Sequence, residues 1–252
     1  MAEAARILVV DDEPSVCKAV AAALTTEGHT VDTALSAEEA LEKAGMSHFD
    51  VVVTDLMMPG LSGMDLLKMA AEKLPEARVI MITGYPSVKS AVEAMRLGAF
   101  DFIPKPFTPK EIRGLVSRAL ASRHYCDETA IVPPSDIHCV PENSWAAVDE
   151  RGHVRVGIHH LFLRTIPDIT SIRLAEEGSV RYQGEACAEV TDSKGNTHKV
   201  WSPVSGTVVA VNPTIVDNYA MLLKDPYGEG WLFRMAPANL DDDFKNLVPA
   251  RP

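Results

Sequence analysis

The stretch Asp50-Val51-Val52-Val53-Thr54-Asp55 predicts a buried β-strand that ends in an acid. Its three consecutive valines favour a strand covered on both faces, as in the interior of a parallel sheet. The following Leu56-Met57-Met58-Pro59-Gly60 is typical of a loop, so Asp55 stands where the strand leaves the sheet. Open α/β sheets hold their binding sites at the carboxyl ends of parallel strands. The local alternative is that Asp55 only caps a turn.

Strand and helix patterns alternate on both sides of this stretch, from residue 6 to residue 122. Four further apolar runs predict strands at Arg6–Val10, His29–Ala34, Arg78–Thr83 and Phe100–Ile103. Between these strands, apolar residues recur at helical spacing. Helix-start signals precede two of the predicted helices, at Ser36 with Glu39 and at Thr108 with Glu111. Five βα units in this length predict a doubly wound α/β domain with a five-stranded parallel sheet.

Polar side chains follow four of these strands at the points where they end. They are Asp11 and Asp12, Asp55, Thr83 and Lys105. Because these ends share one rim of the sheet, three carboxylates would repel one another unless a cation joins them. Oxygen ligands on an open site suit Mg²⁺, and an acid beside Mg²⁺, a lysine and a hydroxyl suits phosphoryl transfer with Asp55 as nucleophile. The alternative is a salt-bridged cluster at the edge of a sheet.

The composition and periodicity of the sequence change between residues 123 and 142. Proline-rich, aperiodic segments there predict a linker. Beyond it, short β-like runs and turn signals predict a mostly-β domain, with a tight hairpin at 192–196 and brief helices near 158–162 and 240–246. The expected organisation is therefore a domain over 1–122, a linker over 123–142 and a second domain over 143–252.

Charge and cysteine usage restrict the classes of function. The formal net charge is -11, and both halves are acidic, which disfavours binding to nucleic acid. We find neither an apolar run long enough to span a bilayer nor a secretory signal, and the four cysteines are scattered. These features predict a reduced, cytoplasmic location.

Residues 6–122 resemble the receiver domain of two-component response regulators, a flavodoxin-like fold. Four motifs carry the resemblance: 7–13, 55–60, 83–87 and 99–107. It implies that a sensor histidine kinase phosphorylates Asp55, and that Asp12, Asp55 and the backbone carbonyl of Met57 bind Mg²⁺, with Asp11 acting through water. It further implies that Thr83 and Lys105 hold the phosphoryl group, that Phe102 is the switch aromatic, and that the receiver offers a surface for homodimerisation.

Residues 143–247 resemble the H protein of the glycine cleavage system, a lipoyl-carrying barrel-sandwich domain. The more specific motifs are 211–213 and 225–232; Ser202-Pro203-Val204-Ser205-Gly206 also contributes. In that family a Glu-Ser-Val-Lys hairpin presents a lipoylated lysine. Counting back from Ser202, that position holds Gly195, and Lys194 lies one residue earlier. A one-residue slip in the hairpin would restore Lys194 to its tip as the lipoyl attachment site.

The sequence therefore predicts a response regulator whose Mg²⁺-dependent receiver switches an H-protein-like output domain through protein contacts. It is expected to have no enzyme activity beyond self-catalysed phosphoryl transfer and dephosphorylation, and its downstream protein partner is unidentified. A second hypothesis is a lipoyl carrier of a multienzyme system, with lipoate on Lys194 and regulation by the receiver. A third, a DNA-binding regulator, conflicts with the acidic charge.

Overall fold

The computed structural model describes residues 4–84, 88–123 and 131–250, and these form two compact units that divide after Tyr125. Residues 85–87 of the third receiver-like motif, and residues 124–130 of the expected linker, lie outside the described residues. Within the described residues, no helix is both long enough and apolar enough to cross a membrane.

The first unit is a parallel five-stranded sheet with five helices. Its elements in chain order are β1 Arg6–Val10, α1 Pro14–Thr25, β2 Thr30–Ala34, α2 Ala37–Met46, β3 Val51–Asp55, α3 Gly63–Lys73, β4 Arg78–Thr83, α4 Val88–Arg96, β5 Asp101–Pro104 and α5 Pro109–Ser122. The strand order β2-β1-β3-β4-β5 is that of a flavodoxin-like doubly wound sheet. The predicted α/β class is confirmed.

The central position of β3 follows from its side chains. All five of its residues are buried, and its backbone pairs in parallel with β1 on one side and β4 on the other. Val51 and Val53 join the core on the side of α1 and α5, with Ile80 and Ile112 among its members. A strand covered on both faces must be apolar throughout, which explains the valine run.

The helix starts carry the predicted signals, with one difference. Thr108 and Glu111 form a reciprocal capping box at α5. At α2, Ser36 accepts from the N–H of Glu39, but the Glu39 carboxylate accepts from the N–H of Leu35, one residue before the cap. The helix α1 ends at Thr25, and Gly28 follows in the connection to β2 with a φ of +90°.

The second unit is built from antiparallel strands and short helices. Its elements are β6 His138–Val140, β7 Ser144–Val148, β8 Val154–Ile158, α6 His160–Arg164, β9 Ile169–Leu174, β10 Val180–Arg181, β11 Ala186–Asp192, β12 Thr197–Trp201, β13 Gly206–Val211, α7 Pro213–Asp217, α8 Ala220–Lys224, β14 Trp231–Pro237, α9 Leu240–Lys245 and β15 Val248–Pro249. The strand β6 falls inside the range 123–142 that the sequence assigned to a linker.

Two sheets enclose the main core of this unit. The larger has the order β10-β13-β14-β8-β7-β6-β15, and the smaller has the order β12-β11-β9. Val156 and Phe233 of the larger sheet share one cluster with Val190 and Val200 of the smaller. This arrangement confirms the mostly-β sandwich class that the sequence predicted.

Candidate functional site

The rim of the parallel sheet brings together three acids and a lysine. Asp55 is the last residue of β3, and Asp11 follows β1 directly; both are buried, whereas Asp12 is exposed. Oxygens of Asp11, Asp12 and Asp55 lie within 4.8 Å of one another. The rim therefore holds a cluster of hard oxygen donors with one member open to solvent.

Lys105 lies between the two buried acids. Its Nζ donates to Asp55 Oδ2 over 2.6 Å and lies 2.7 Å from Asp11 Oδ2. Its backbone N–H is held by the carbonyl of Thr83 at 2.7 Å, which fixes the loop after β5 to the end of β4. The side chain thus neutralises charge between acids that would otherwise repel each other.

The pKa values follow from burial and from this ion pairing. Burial raises the pKa of Asp11, although Lys105 and the N–H of Glu13 oppose the rise. Burial lowers the pKa of Lys105, but the hydrogen bonds and charges of Asp11 and Asp55 outweigh it, and the net pKa is raised. Lys105 is therefore a fixed positive charge at neutral pH.

The loop after β3 keeps the Asp55 carboxylate in place. The backbone N–H of Met57 donates to Asp55 Oδ1 over 3.2 Å, so the main chain of Met57 lies beside the acid. Met57 itself is 62% exposed. The backbone of Met57 is thus at the rim, where its carbonyl was predicted to serve as a metal ligand.

The two remaining predicted residues lie on the neighbouring strands. Thr83 is the last residue of β4 and is buried. Phe102 lies in β5, paired with Met81, and its side chain is 5% exposed. The roles of these residues, like those of the acids and Lys105, stay predictions.

Two residues near the site were not singled out from the sequence. Glu13 Oε1 lies 3.9 Å from Lys105 Nζ, and the Glu13 N–H donates to Asp11 Oδ1. Gly63, at the start of α3, is packed so closely that a Cβ would lie 2.0 Å from the carbonyl oxygen of Asp55. The only sequence signal for this contact is that a glycine follows the N-cap Ser62, a helix position that ordinarily tolerates a side chain.

The donor set fits the metal that the receiver resemblance implies. Mg²⁺ prefers oxygen ligands, takes one or two carboxylates from the protein and keeps several waters. Two buried carboxylates and one exposed carboxylate at an open rim meet these requirements, and nothing in the cluster offers a sulfur or imidazole ligand that would favour a softer metal.

A second candidate site is the β11–β12 hairpin. The N–H of Gly195 donates to the carbonyl of Asp192, so Ser193 and Lys194 are the central residues of the turn. Gly195 has a φ of +76°, and Asp192 N–H pairs with the Asn196 carbonyl, as in a three-residue hairpin loop. Gly195 thus closes the loop in the left-handed conformation, and the exposed Lys194 stands at the tip.

Two family models match the chain. Residues 7–117 match the response regulator receiver domain, and residues 138–251 match the glycine cleavage H-protein. The CheY-like response regulator receiver domain protein from Methanospirillum hungatei is 30% identical, with a TM-score of 0.46, over 48% of this chain and 97% of that one.

Curated relatives match each half separately. The nitrogen assimilation regulatory protein NtrX of Azorhizobium caulinodans is 37% identical over 116 residues, which are 45% of this chain and 26% of the relative. This chain spans about a quarter of the length of the curated response regulators that it matches.

The second half has a relative that it covers more fully. The glycine cleavage system H protein of Corynebacterium jeikeium is 42% identical over 105 residues, which are 40% of this chain and 82% of that protein. Residues 7–117 match the response regulator receiver domain, and over residues 138–251 the chain belongs to the glycine cleavage H-protein family.

Proposed function

We propose that this protein is a cytoplasmic response regulator in which a sensor histidine kinase phosphorylates Asp55. The observation that carries the proposal is the position of Lys105, whose Nζ lies 2.6 Å from Asp55 and 2.7 Å from Asp11 beside the exposed Asp12. The carboxylates of Asp12 and Asp55 and the carbonyl of Met57 would hold Mg²⁺, with Asp11 contributing through water. When bound, the metal supplies positive charge that offsets charge on the transferred oxygens.

The transfer itself uses groups already at the rim. A carboxylate oxygen of Asp55 attacks the phosphorus, and the bond between phosphorus and the kinase imidazole breaks as the imidazole nitrogen takes a proton. Lys105 then exchanges its carboxylate partners for phosphoryl oxygens, and Thr83 offers a hydroxyl donor. The enzyme chemistry of the chain is confined to this self-catalysed transfer and to dephosphorylation.

Phosphorylation would act on the face formed by α4, β5 and α5. As Lys105 and Thr83 turn to the phosphoryl group, Phe102 changes rotamer and the face shifts between two packings. The output is a contact of the H-protein domain with another protein, because the acidic charge of that half repels a phosphate backbone. Homodimerisation through the receiver belongs to the same proposal.

The direct test is labelling by a small phosphodonor. Incubation with acetyl phosphate and Mg²⁺ is expected to add one phosphoryl group to the wild-type chain, measured by intact mass, and none to Asp55→Asn. Glu72→Gln removes an exposed carboxylate of α3 and serves as the matched control. Undiminished labelling of Asp55→Asn, or labelling independent of Mg²⁺, would overturn the assignment.

We propose a lipoyl carrier as the second candidate function, with the acyl group on Lys194. The observation that favours it is the exposed position of Lys194 at the centre of the β11–β12 turn, despite the one-residue offset in the sequence. Lipoate would supply a mobile dithiolane that shuttles an intermediate between partner proteins. In this case phosphorylation of Asp55 regulates the carrier.

A further inference from the structure

The turn that carries Lys194 is built around a buried acid. The side chain of Asp192 is 2% exposed, although it begins a hairpin loop. Its Oδ1 accepts from the backbone N–H of Lys194 over 2.9 Å and from that of Asn196 over 2.8 Å. One carboxylate oxygen therefore ties together the main chain on both sides of Gly195.

The second oxygen of this acid is also engaged. Asn196 Nδ2 donates to Asp192 Oδ2 over 3.0 Å, and His198 Nε2 lies 3.1 Å from the same atom. His198 is 3% exposed, so this contact is shielded from water. Burial raises the pKa of Asp192, but the hydrogen bonds from Asn196 and His198 outweigh it and leave the pKa lowered. The acid is therefore ionised at neutral pH, with its oxygens fully used as acceptors.

These contacts constrain the backbone of the tip and leave its lysine side chain free to extend. The N–H of Lys194 is bound to Asp192, the carbonyl of Asp192 accepts from Gly195, and Gly195 takes the left-handed conformation. The Lys194 side chain is exposed. The geometry is that of a group presented to a second protein on a fixed support.

We propose that Asp192, braced by His198, is the positioning residue that fixes this turn and so presents Lys194 to an acyl donor. The inference rests on the proposed carrier role of Lys194. The neutral amine of Lys194 attacks the carbonyl carbon of an acyl adenylate, a C–N bond forms, and the C–O bond to the phosphate breaks. AMP leaves, and the proton lost from the amine passes to solvent.

The size of the effect follows from the population of the presented conformation. If the turn without the Asp192 carboxylate holds Lys194 in the presented conformation for about a tenth of the time, the apparent affinity of the acylating enzyme falls about tenfold. The chemistry after binding is unchanged, so the loss should appear as a higher KM at a similar kcat.

The test measures lipoylation of the full chain by a lipoyl ligase with lipoic acid and ATP, followed by intact mass. Wild type is expected to gain one lipoyl group and Lys194→Ala none. Asp192→Ala should raise KM about tenfold with kcat within about twofold. Asp192→Asn keeps one oxygen for the two backbone N–H groups and should recover most of the loss. Glu189→Ala, which removes a carboxylate of β11 paired with the exposed Arg173, should match wild type.

Each result has one meaning. No adduct on wild type would overturn the carrier function, and the positioning role with it. An adduct on wild type that forms equally well on Asp192→Ala would overturn only the positioning role. A loss in Asp192→Ala that Asp192→Asn does not recover would also overturn the positioning role, because a general loss of structure would then explain the effect. Thermal unfolding of both variants is measured alongside the assay.

Discussion

At the scale of single residues, Lys105 decides the electrostatics of the receiver site. Asp11 is fully buried and Asp55 nearly so, and Lys105 lies within 2.7 Å of both. Removing one partner of a buried ion pair leaves an uncompensated charge, which ordinarily costs several kcal/mol. In the proposed function the same acids bind Mg²⁺, so the lysine and the metal would offset the same repulsion.

Lys105→Met is therefore expected to destabilise the receiver by about 3 kcal/mol without metal. Mg²⁺ should then raise the melting temperature more in this variant than in wild type, because the cation replaces the missing charge. Differential scanning calorimetry of the full chain with and without Mg²⁺ measures both effects.

The matched control is Lys110→Met, which removes an exposed lysine at the start of α5. It should leave both the melting temperature and its Mg²⁺ dependence close to those of wild type. Equal Mg²⁺ shifts in Lys105→Met and wild type would contradict the idea that the lysine and the metal act on the same acids.

At the scale of secondary-structure elements, the start of α3 is packed directly against the end of β3. A Cβ on Gly63 would lie 2.0 Å from the Asp55 carbonyl oxygen, and the Gly63 N–H bonds to the Leu56 carbonyl over 3.0 Å. The helix can begin this close to Asp55 only because residue 63 has no side chain. The position of Asp55 thus depends on a residue that does not itself reach the rim.

Gly63→Ala is expected to destabilise the receiver by about 1–3 kcal/mol, since the added methyl group must displace backbone. It should also slow labelling by acetyl phosphate, because the shift is transmitted to Asp55. Thermal unfolding and the labelling rate measure these two effects.

Gly45→Ala provides the opposite case within the same unit. Gly45 lies near the end of α2, and a Cβ there would meet no atom within 4 Å. Alanine at that position should stabilise the helix by about 0.5–1 kcal/mol and leave labelling unchanged. A Gly63→Ala protein as stable and as readily labelled as Gly45→Ala would show that the contact at Asp55 imposes no constraint.

The elements that the sequence predicted are those with a local signal. The strands of the receiver were found because valine and isoleucine runs alternate with helical periodicity, and a parallel sheet then forces their ends onto one rim. By contrast, β9 was not predicted: its burial is irregular, and it is held by pairing with β11. The two residues of β15 pair with β6, more than a hundred positions earlier in the chain, so β15 has no local pattern that could reveal it.

The candidate sites divide in the same way. The convergence of the acids and Lys105 could be predicted because each of these residues lies at the end of a parallel strand or just after it. The contact of Glu13 with Lys105, the close approach of Gly63 to Asp55 and the burial of Asp192 against His198 depend on the folded geometry, which residue type and spacing alone do not specify. Sequence counting placed Gly195 where the family has its lysine; only the turn geometry shows Lys194 at the tip, with Gly195 closing the loop.

At the scale of the whole molecule, two acidic units that match different domain families share one chain, so the proposed function requires an energetic coupling between them. Couplings of this kind are ordinarily about 1–3 kcal/mol, enough to change local opening in the second unit by a measurable factor. The three tryptophans, Trp145, Trp201 and Trp231, all lie in the second unit, where their fluorescence reports on that unit alone.

Phosphorylation of Asp55 is therefore expected to change amide hydrogen exchange within residues 131–250, in the full chain treated with acetyl phosphate and Mg²⁺. A coupling of about 1 kcal/mol corresponds to a change of about fivefold in the exchange of the affected amides. Exchange in Asp55→Asn should not respond, and tryptophan fluorescence should follow the same pattern. Equal exchange rates of the second unit in the phosphorylated and unphosphorylated chains would show that the receiver does not switch the H-protein domain through its own chain. Any regulation would then act through a partner that binds the two domains separately.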